Sequence, residues 1–431
     1  MSDLKREVGL IGAMMMGLGS ILGTGVFVSV NIATEVTGPS VILAIAVAAL
    51  VATLNGLSSA QLAANHPVSG GTYEYGYRWL TPTLGFVAGF MFLCAKSASA
   101  ATAALGFTGY TFSFLGVDQP GWVIPVAALT VIVVTLIVLT GIKRSNLTNI
   151  IIVSITLLSL ACFVFLGLPS ALSHSSENLV PFFEPEPGQP VVPSFLEACA
   201  LMFVAFTGYG RIATLGEEVH NPRATIPRAI IVTLVVASLV YMLVGFVSVA
   251  AISQDDLLET GLDQSAPLER IAHTLEYSPT AQRFIAAGAI TAMLGVLLNL
   301  VLGLSRVALA MGRRSDFPVC FGNVTDGGGN PVNAILLVGA IILGLTLIGN
   351  VKTTWSFSAF TVLIYYALTN LSAIRLSEEE RLYPRWISWG GLLLCLSLAF
   401  WVEPRIWLTG SGILFLGLFY RFIRRRWFLN G

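Results

Sequence analysis

From its amino terminus onward the chain alternates long apolar runs with short polar links, and the runs are hydrophobic on every face rather than along one helical stripe. A helix of that kind is shielded from water on all sides. Roughly 20 apolar residues suffice to cross a hydrocarbon core of about 30 Å. On that measure the pattern predicts twelve spanning segments, at approximately 8–31, 41–64, 84–113, 122–141, 147–169, 195–216, 228–252, 281–312, 332–349, 353–375, 386–402 and 407–423. No linker, low-complexity tract or heptad array divides them, so residues 1–431 read as a single transmembrane unit.

Two of these runs are interrupted by glycine-rich stretches in corresponding places: GLGSILGTG at Gly17 to Gly25 in the first, and TGYG at Thr207 to Gly210 in the sixth. A spanning helix must satisfy its backbone groups internally, so unwinding it at depth is tolerated only where the freed groups line a cavity or meet a ligand. Paired interruptions in the two halves of a membrane chain point to a transporter's substrate site.

Composition agrees. Hydrophobic residues make up 55%, charged residues 11%, and the mean hydropathy is +0.82, against about 25% charge in an ordinary soluble domain. This is the profile of an all-α polytopic membrane protein with no separate soluble domain. The 23 basic and 23 acidic residues cancel and the basic ones are dispersed, so no nucleic-acid partner is expected. Lys5 and Arg6 lead into an apolar run that continues past residue 30, longer than the apolar core of a cleavable signal, so the first segment is expected to remain as a helix. Cys94, Cys162, Cys199 and Cys395 fall inside predicted spans, Cys320 lies in a loop, and none makes a CxxC pair. Neither a disulfide frame nor a metal site is expected, and no cofactor.

Orientation follows from the basic residues. Sixteen Lys and Arg lie on the side that holds both termini, among them Lys5, Arg78, Lys143, Arg223, Arg313, Arg381 and Arg424. Arg270, Arg283, Lys352 and Arg405 lie opposite. The positive-inside rule places both termini in the cytoplasm of a cell or inner membrane, as an even number of spans requires.

Four stretches carry a family resemblance: GSILGTGVF at Gly19 to Phe27, PVSGGTYEYGYRWLTPTLGFVAGF at Pro67 to Phe90, EEVHNPRATIPRAI at Glu217 to Ile230, and SRVALAMGRRSDFP at Ser305 to Pro318. Together and in this order they resemble the amino acid/polyamine/organocation (APC) transporters. The resemblance implies an inverted five-plus-five repeat of the LeuT type, with repeat one at about 8–169, repeat two at about 195–375, and helices 11 and 12 at about 386–423 outside it. It also implies secondary transport of amino acids or related amines.

The chemistry of the first interruption can be read independently. Gly17, Gly19, Gly23 and Gly25 each weaken a helix by about 1 kcal/mol relative to Ala. The half-helix that resumes after Gly25 presents unpaired N–H groups and a positive dipole end, suited to a carboxylate. The expected carboxylate site is therefore the backbone around Gly23, Thr24 and Gly25, with Ser20 and Thr24 hydroxyls as added contacts. Close helix packing is the competing use of the same glycines. At the second interruption, freed carbonyls carry the negative dipole end and suit an ammonium. The family similarity puts that ammonium at Val204, Ala205 and Thr207, with Ile21 from the first span, and makes Phe203, Phe206 and Tyr209 walls or gates; each aromatic serves equally as a packing residue.

Few ionisable groups fall inside the predicted spans. Lys96 sits near the centre of the third, where a charge costs roughly 2.5–3.5 kcal/mol, so it should face the bundle interior. There it serves as a proton-exchanging group, a fixed cation in place of a sodium ion, or the partner of an acidic group or carbonyls. Relatives that couple to protons place a lysine where the resemblance puts Thr156, whose hydroxyl fits a sodium ligand or a helix contact, so proton, sodium and exchange remain open. Arg211 is expected about two turns before Glu218, as a gating or interfacial residue. Arg306, Arg313, Arg314 and Asp316 resemble the family's cytoplasmic signature and should orient and pack the gate.

Some relatives that carry cationic amino acids have an acidic residue where this chain has Gly210, and the acidic residue usual in the second span is Gln61 here. A neutral amino acid or small amine is the substrate expected, moved by alternating access. A cationic amino acid or polyamine carrier and a non-transporting sensor are the alternatives, with a membrane-embedded enzyme third, although no HExxH, GxSxG or intramembrane Asp pair is present. Beyond substrate and lipid, no disulfide-linked helper subunit is expected, because the link at Gly116 to Gly121 lacks a cysteine.

Overall fold

A computed structural model of the chain describes residues 8–67, 70–117, 119–141, 146–185, 187–214, 219–253, 266–324 and 330–428. Lys5, Arg6, Lys143, Arg144, Glu186, Glu217, Glu218 and the acidic link from Asp255 to residue 265 lie outside the described residues.

The described chain is helical, apart from a single parallel bridge between Val8 and Val219. In order the helices are α1 (Leu10–Ile21), α2 (Val30–Thr37), α3 (Val41–Asn65), α4 (Thr72–Trp79), α5 (Pro82–Leu115), α6 (Val123–Leu139), α7 (Asn146–Asn178), α8 (Val191–Phe206), α9 (Gly210–Ala213) and α10 (Pro222–Ala250). They continue as α11 (Pro267–Thr274), α12 (Pro279–Arg313), α13 (Val332–Thr346), α14 (Val351–Ile374), α15 (Arg385–Ala399) and α16 (Pro404–Phe428). Among the described residues nine helical stretches are long and apolar enough to cross a membrane. The first, Leu10–Asn65, runs for 56 residues through an interruption and a turn at Gly38–Ser40, while α13 and α15 are shorter apolar helices.

Local chemistry sets the helix ends. Thr81 and Ser278 each precede a proline at the first helical position and accept the N–H of Leu84 and Ala281, capping α5 and α12. Asn350 accepts the N–H of Thr353 at 2.7 Å to start α14. At the far end of α5, Gly116 turns left-handed (φ 68°) and Val117 N–H returns to Phe112 O at 2.9 Å, which satisfies carbonyls the helix would otherwise leave open.

α5 and α14 form the centre, each 78% buried over its spanning window, whereas α16 is 22% buried and lies at the periphery. α5 packs on both α12 and α14. Small residues allow that approach: Ser99 meets Ser358 at 2.8 Å and Thr102 meets Thr354 at 2.8 Å across the α5–α14 seam. In lipid, helices associate through such close packing and interhelical hydrogen bonds rather than through the hydrophobic effect.

Candidate substrate site at two interrupted helices

The first helix breaks after Ile21. Leu22 N–H still reaches Leu18 O, Gly23 N–H turns back to Ile21 O at 2.9 Å, and Val26 and Phe27 N–H both return to Gly23 O at 3.1 Å before a wide turn, Gly25–Ser29, leads into α2. The second break follows Phe206, where α8 tightens into the narrow turn Thr207–Tyr209 before α9.

The two breaks touch. A Cβ on Gly208 would overlap the backbone of Ser20 and Ile21, so the chains cross at a distance only glycine permits. A Cβ on Gly25 would run into the Tyr241 hydroxyl and lie 3.1 Å from Ala205. The space beside Gly23 is filled by Val296 Cγ2, 2.6 Å from such a Cβ, and Gly19 lies against Asn149 and Val153. The glycines of the first break thus serve close packing, the competing use named above, whatever else they do.

Every carbonyl expected to hold an ammonium already lies within hydrogen-bond reach of a protein hydroxyl, Ile21 O and Ala205 O sharing one. Tyr241 Oη, from α10, lies 2.8 Å from Ile21 O and 3.1 Å from Ala205 O, and so bridges the two breaks. Thr207 Oγ1 donates to Val204 O at 2.6 Å, and Tyr366 Oη donates to Thr207 O at 3.1 Å. Backbone N–H groups add to these, Gly23 to Ile21 O at 2.9 Å, Thr207 to Val204 O and Gly210 to Thr207 O, so those three carbonyls each hold two donors, as many as a carbonyl accepts. Phe203 packs edge-on to Tyr366, Phe206 edge-on to Tyr241, and Tyr209 tilts against Tyr366, with ring centroids 5.6, 4.9 and 5.4 Å apart. All three are buried.

Thr24 is 4% exposed and its hydroxyl finds no partner among the described residues, whereas Ser20 turns back to Met16 O at 2.9 Å. Lys96 reaches the second break from α5 and donates to Thr207 Oγ1 at 2.6 Å. Thr156 is not brought there by any bond; its hydroxyl returns to Ile152 O within α7 at 2.8 Å. Arg211 is half-buried on α9, and its expected neighbour Glu218 lies outside the described residues.

Tyr241, Tyr366 and Tyr110 went unnoticed in the sequence. Their signal was a hydroxyl in an otherwise aliphatic run, as in TLVVASLVYMLVG, because a buried tyrosine needs an acceptor. Tyr110 joins Phe27 O (2.9 Å) to the N–H of Leu268 (3.0 Å) at the start of α11. Next to it, Ser113, Gln119, Glu269, Arg270 and His273 help line an open cavity of about 490 Å³.

A second polar cluster surrounds the turn after α12. Asp316 accepts from Tyr73, Tyr77 and, at 3.0 Å, from Arg421 Nε on α16; Arg314 pairs with Glu74 and lies over the Tyr77 ring. Burial drives the Tyr77 hydroxyl up to about 12 and raises the Glu74 carboxyl against the opposing pull of Arg314. Nearby, burial and then Arg78 and Arg314 hold His66 below its ordinary value. Gln61 fills its place by accepting the N–H groups of Leu382 and Tyr383. Among the described residues no group of His, Cys, Asp and Glu is placed to hold a metal.

Nine apolar helical stretches around a buried polar centre define an integral, multi-pass helical membrane protein. Within that class, residues 12–425 match the amino acid permease family, and the chain belongs to it, within the APC superfamily. It is 36% identical over 423 residues to an uncharacterized transporter of Mycobacterium tuberculosis, covering 98% of this chain and 92% of that one. It is 28% identical over 344 residues to the branched-chain amino acid permease BcaP of Bacillus subtilis, covering 73% and 69% respectively. Against the cationic amino acid transporter 4 of Homo sapiens it is 28% identical over 396 residues, covering 88% and 61%. The chain is an amino acid transporter by family and not an enzyme.

Proposed function

We propose that this protein carries neutral amino acids across the membrane by alternating access, with the substrate held between the two interrupted helices. The observation that carries the reading is the crossing of the breaks at Gly208 and Ser20–Ile21, joined by the Tyr241 hydroxyl. The backbone of Gly23 to Gly25 takes the carboxylate, helped by the Thr24 hydroxyl, which has no partner among the described residues, and the carbonyls of Ile21, Val204, Ala205 and Thr207 take the ammonium as the hydroxyls of Tyr241, Thr207 and Tyr366 give way to it. Phe203, Phe206 and Tyr209 wall the pocket. Dividing the 56-residue stretch at Gly38–Ser40 and counting α13 and α15 turns nine stretches into twelve crossings, arranged as the inverted repeats 8–169 and 195–375, with both termini cytoplasmic.

Neutral specificity rests on the interruptions themselves: residues 17–29 and 203–214 contain no Asp or Glu to receive a cationic side chain. The name of the B. subtilis relative favours this reading, and that of the human relative favours a cationic substrate. Uptake of a labelled amino acid panel into proteoliposomes, with proton or sodium gradients imposed, decides between them. Saturable uptake of a neutral amino acid that ignores lysine and arginine is expected; transport of lysine or arginine alone, or of no amino acid, overturns the reading.

A further inference from the structure

At the second interruption the chain supplies its own cation. Lys96 is only 9% exposed, and its ammonium donates to Thr207 Oγ1 at 2.6 Å. That hydroxyl in turn donates to Val204 O at 2.6 Å, and the Thr207 carbonyl accepts from Tyr366. The ammonium is therefore one hydroxyl away from the carbonyls of the break. Of its three N–H bonds, one is used by Thr207. The ion pairs Arg314–Glu74 and Arg421–Asp316 both leave it out. No acidic residue occurs in either interruption, and Arg211 adds a second positive charge four residues beyond Thr207.

We propose that Lys96 sets the charge class of the substrate: seated on Thr207, it excludes amino acids with cationic side chains and admits neutral ones. Two effects act together. The lysine occupies the hydroxyl acceptor that a substrate cation entering at the second break would use, and its charge repels a second cation where water is scarce and screening weak. The proposal rests on the substrate site lying between the breaks and names the residue that enforces its selectivity.

The test compares the wild type with Lys96→Met, Lys96→Gln and Lys96→Arg in proteoliposomes, using labelled leucine as the neutral probe and unlabelled lysine and arginine as competitors. In the wild type the competitors are expected to leave leucine uptake unchanged at 100-fold excess. In Lys96→Met they should inhibit at concentrations lower by about tenfold or more, the factor that 1.4 kcal/mol of lost repulsion represents, and labelled lysine should itself be carried. Lys96→Arg keeps the charge and should keep the exclusion. Lys96→Gln retains a donor for Thr207 while losing the charge, so it gives the neutral arm should the Met variant fail to fold. Wild-type uptake of lysine alongside leucine overturns the proposal without any mutant. So does a folded neutral variant that carries leucine and still rejects lysine, or one that loses leucine without gaining lysine, which would mark Lys96 as a partner of the substrate carboxylate. Absence of any neutral uptake in the wild type would instead remove the transport reading beneath it.

Discussion

At the scale of single residues, two hydroxyls beside the interruptions stand in opposite states. The Tyr241 hydroxyl serves Ile21 O and Ala205 O, whereas the Thr24 hydroxyl is buried without a partner among the described residues. Leaving a buried polar group unpaired costs about 1–3 kcal/mol, and removing such a group relieves that cost. Tyr241→Phe should therefore lower thermal stability in detergent by an amount in that range, with both breaks loosened together. Thr24→Val, of similar volume, should hold or raise stability while weakening the thermal stabilisation that a bound amino acid produces. Thermal unfolding of both variants with and without substrate checks the pair. A Thr24→Val protein with undiminished ligand stabilisation would remove that hydroxyl from the site.

At the scale of elements, α16 is the least buried spanning helix, and its firmest tie is one ion pair. Arg421 and Asp316 are 4% and 2% exposed, and Tyr73 and Tyr77 complete the carboxylate's partners. Removing one member of a buried pair costs about 3–5 kcal/mol because the other is left charged and dry, while replacing both with apolar groups is far milder. Arg421→Met and Asp316→Leu should each destabilise strongly, and the double variant should recover most of the loss. A double-mutant cycle on thermal unfolding measures the coupling; additive losses would show that the ion pair does not hold α16, leaving packing and the Arg424 bonds to Ser315 O and Phe317 O. The sequence contains both residues, but 105 positions separate them, and no local pattern foretells which arginine of the basic tail meets the aspartate.

For the whole molecule the consequential quantity is orientation. Arg313, Arg314 and the turn that follows belong to the side richest in basic residues, and Cys320 in that turn is exposed, whereas Cys199 and Cys395 are buried. With that side cytoplasmic, a membrane-impermeant maleimide should label Cys320 in inside-out vesicles and not in intact cells, and Cys320→Ser should abolish the signal. Labelling from the outside of intact cells would reverse the orientation.

The sequence by itself determined the membrane class and the helical architecture, because both are written locally: apolar length compels a helix in lipid. It also singled out Lys96, since a charge in an apolar run must find a reason to be there. The contacts that bring these features together were decided only by tertiary structure. Gly208 lies against Ser20, Tyr241 spans residues 220 and 36 positions away, and Lys96 meets Thr207 across 111. Glycine spacing looks the same whether it opens room for a ligand or for a neighbouring helix, and Val296 beside Gly23 shows which atoms fill that space here. Hydropathy reports how a residue partitions between water and lipid; it carries no information about which distant acceptor a buried donor will find, because that depends on helix packing and not on the order of residues along the chain.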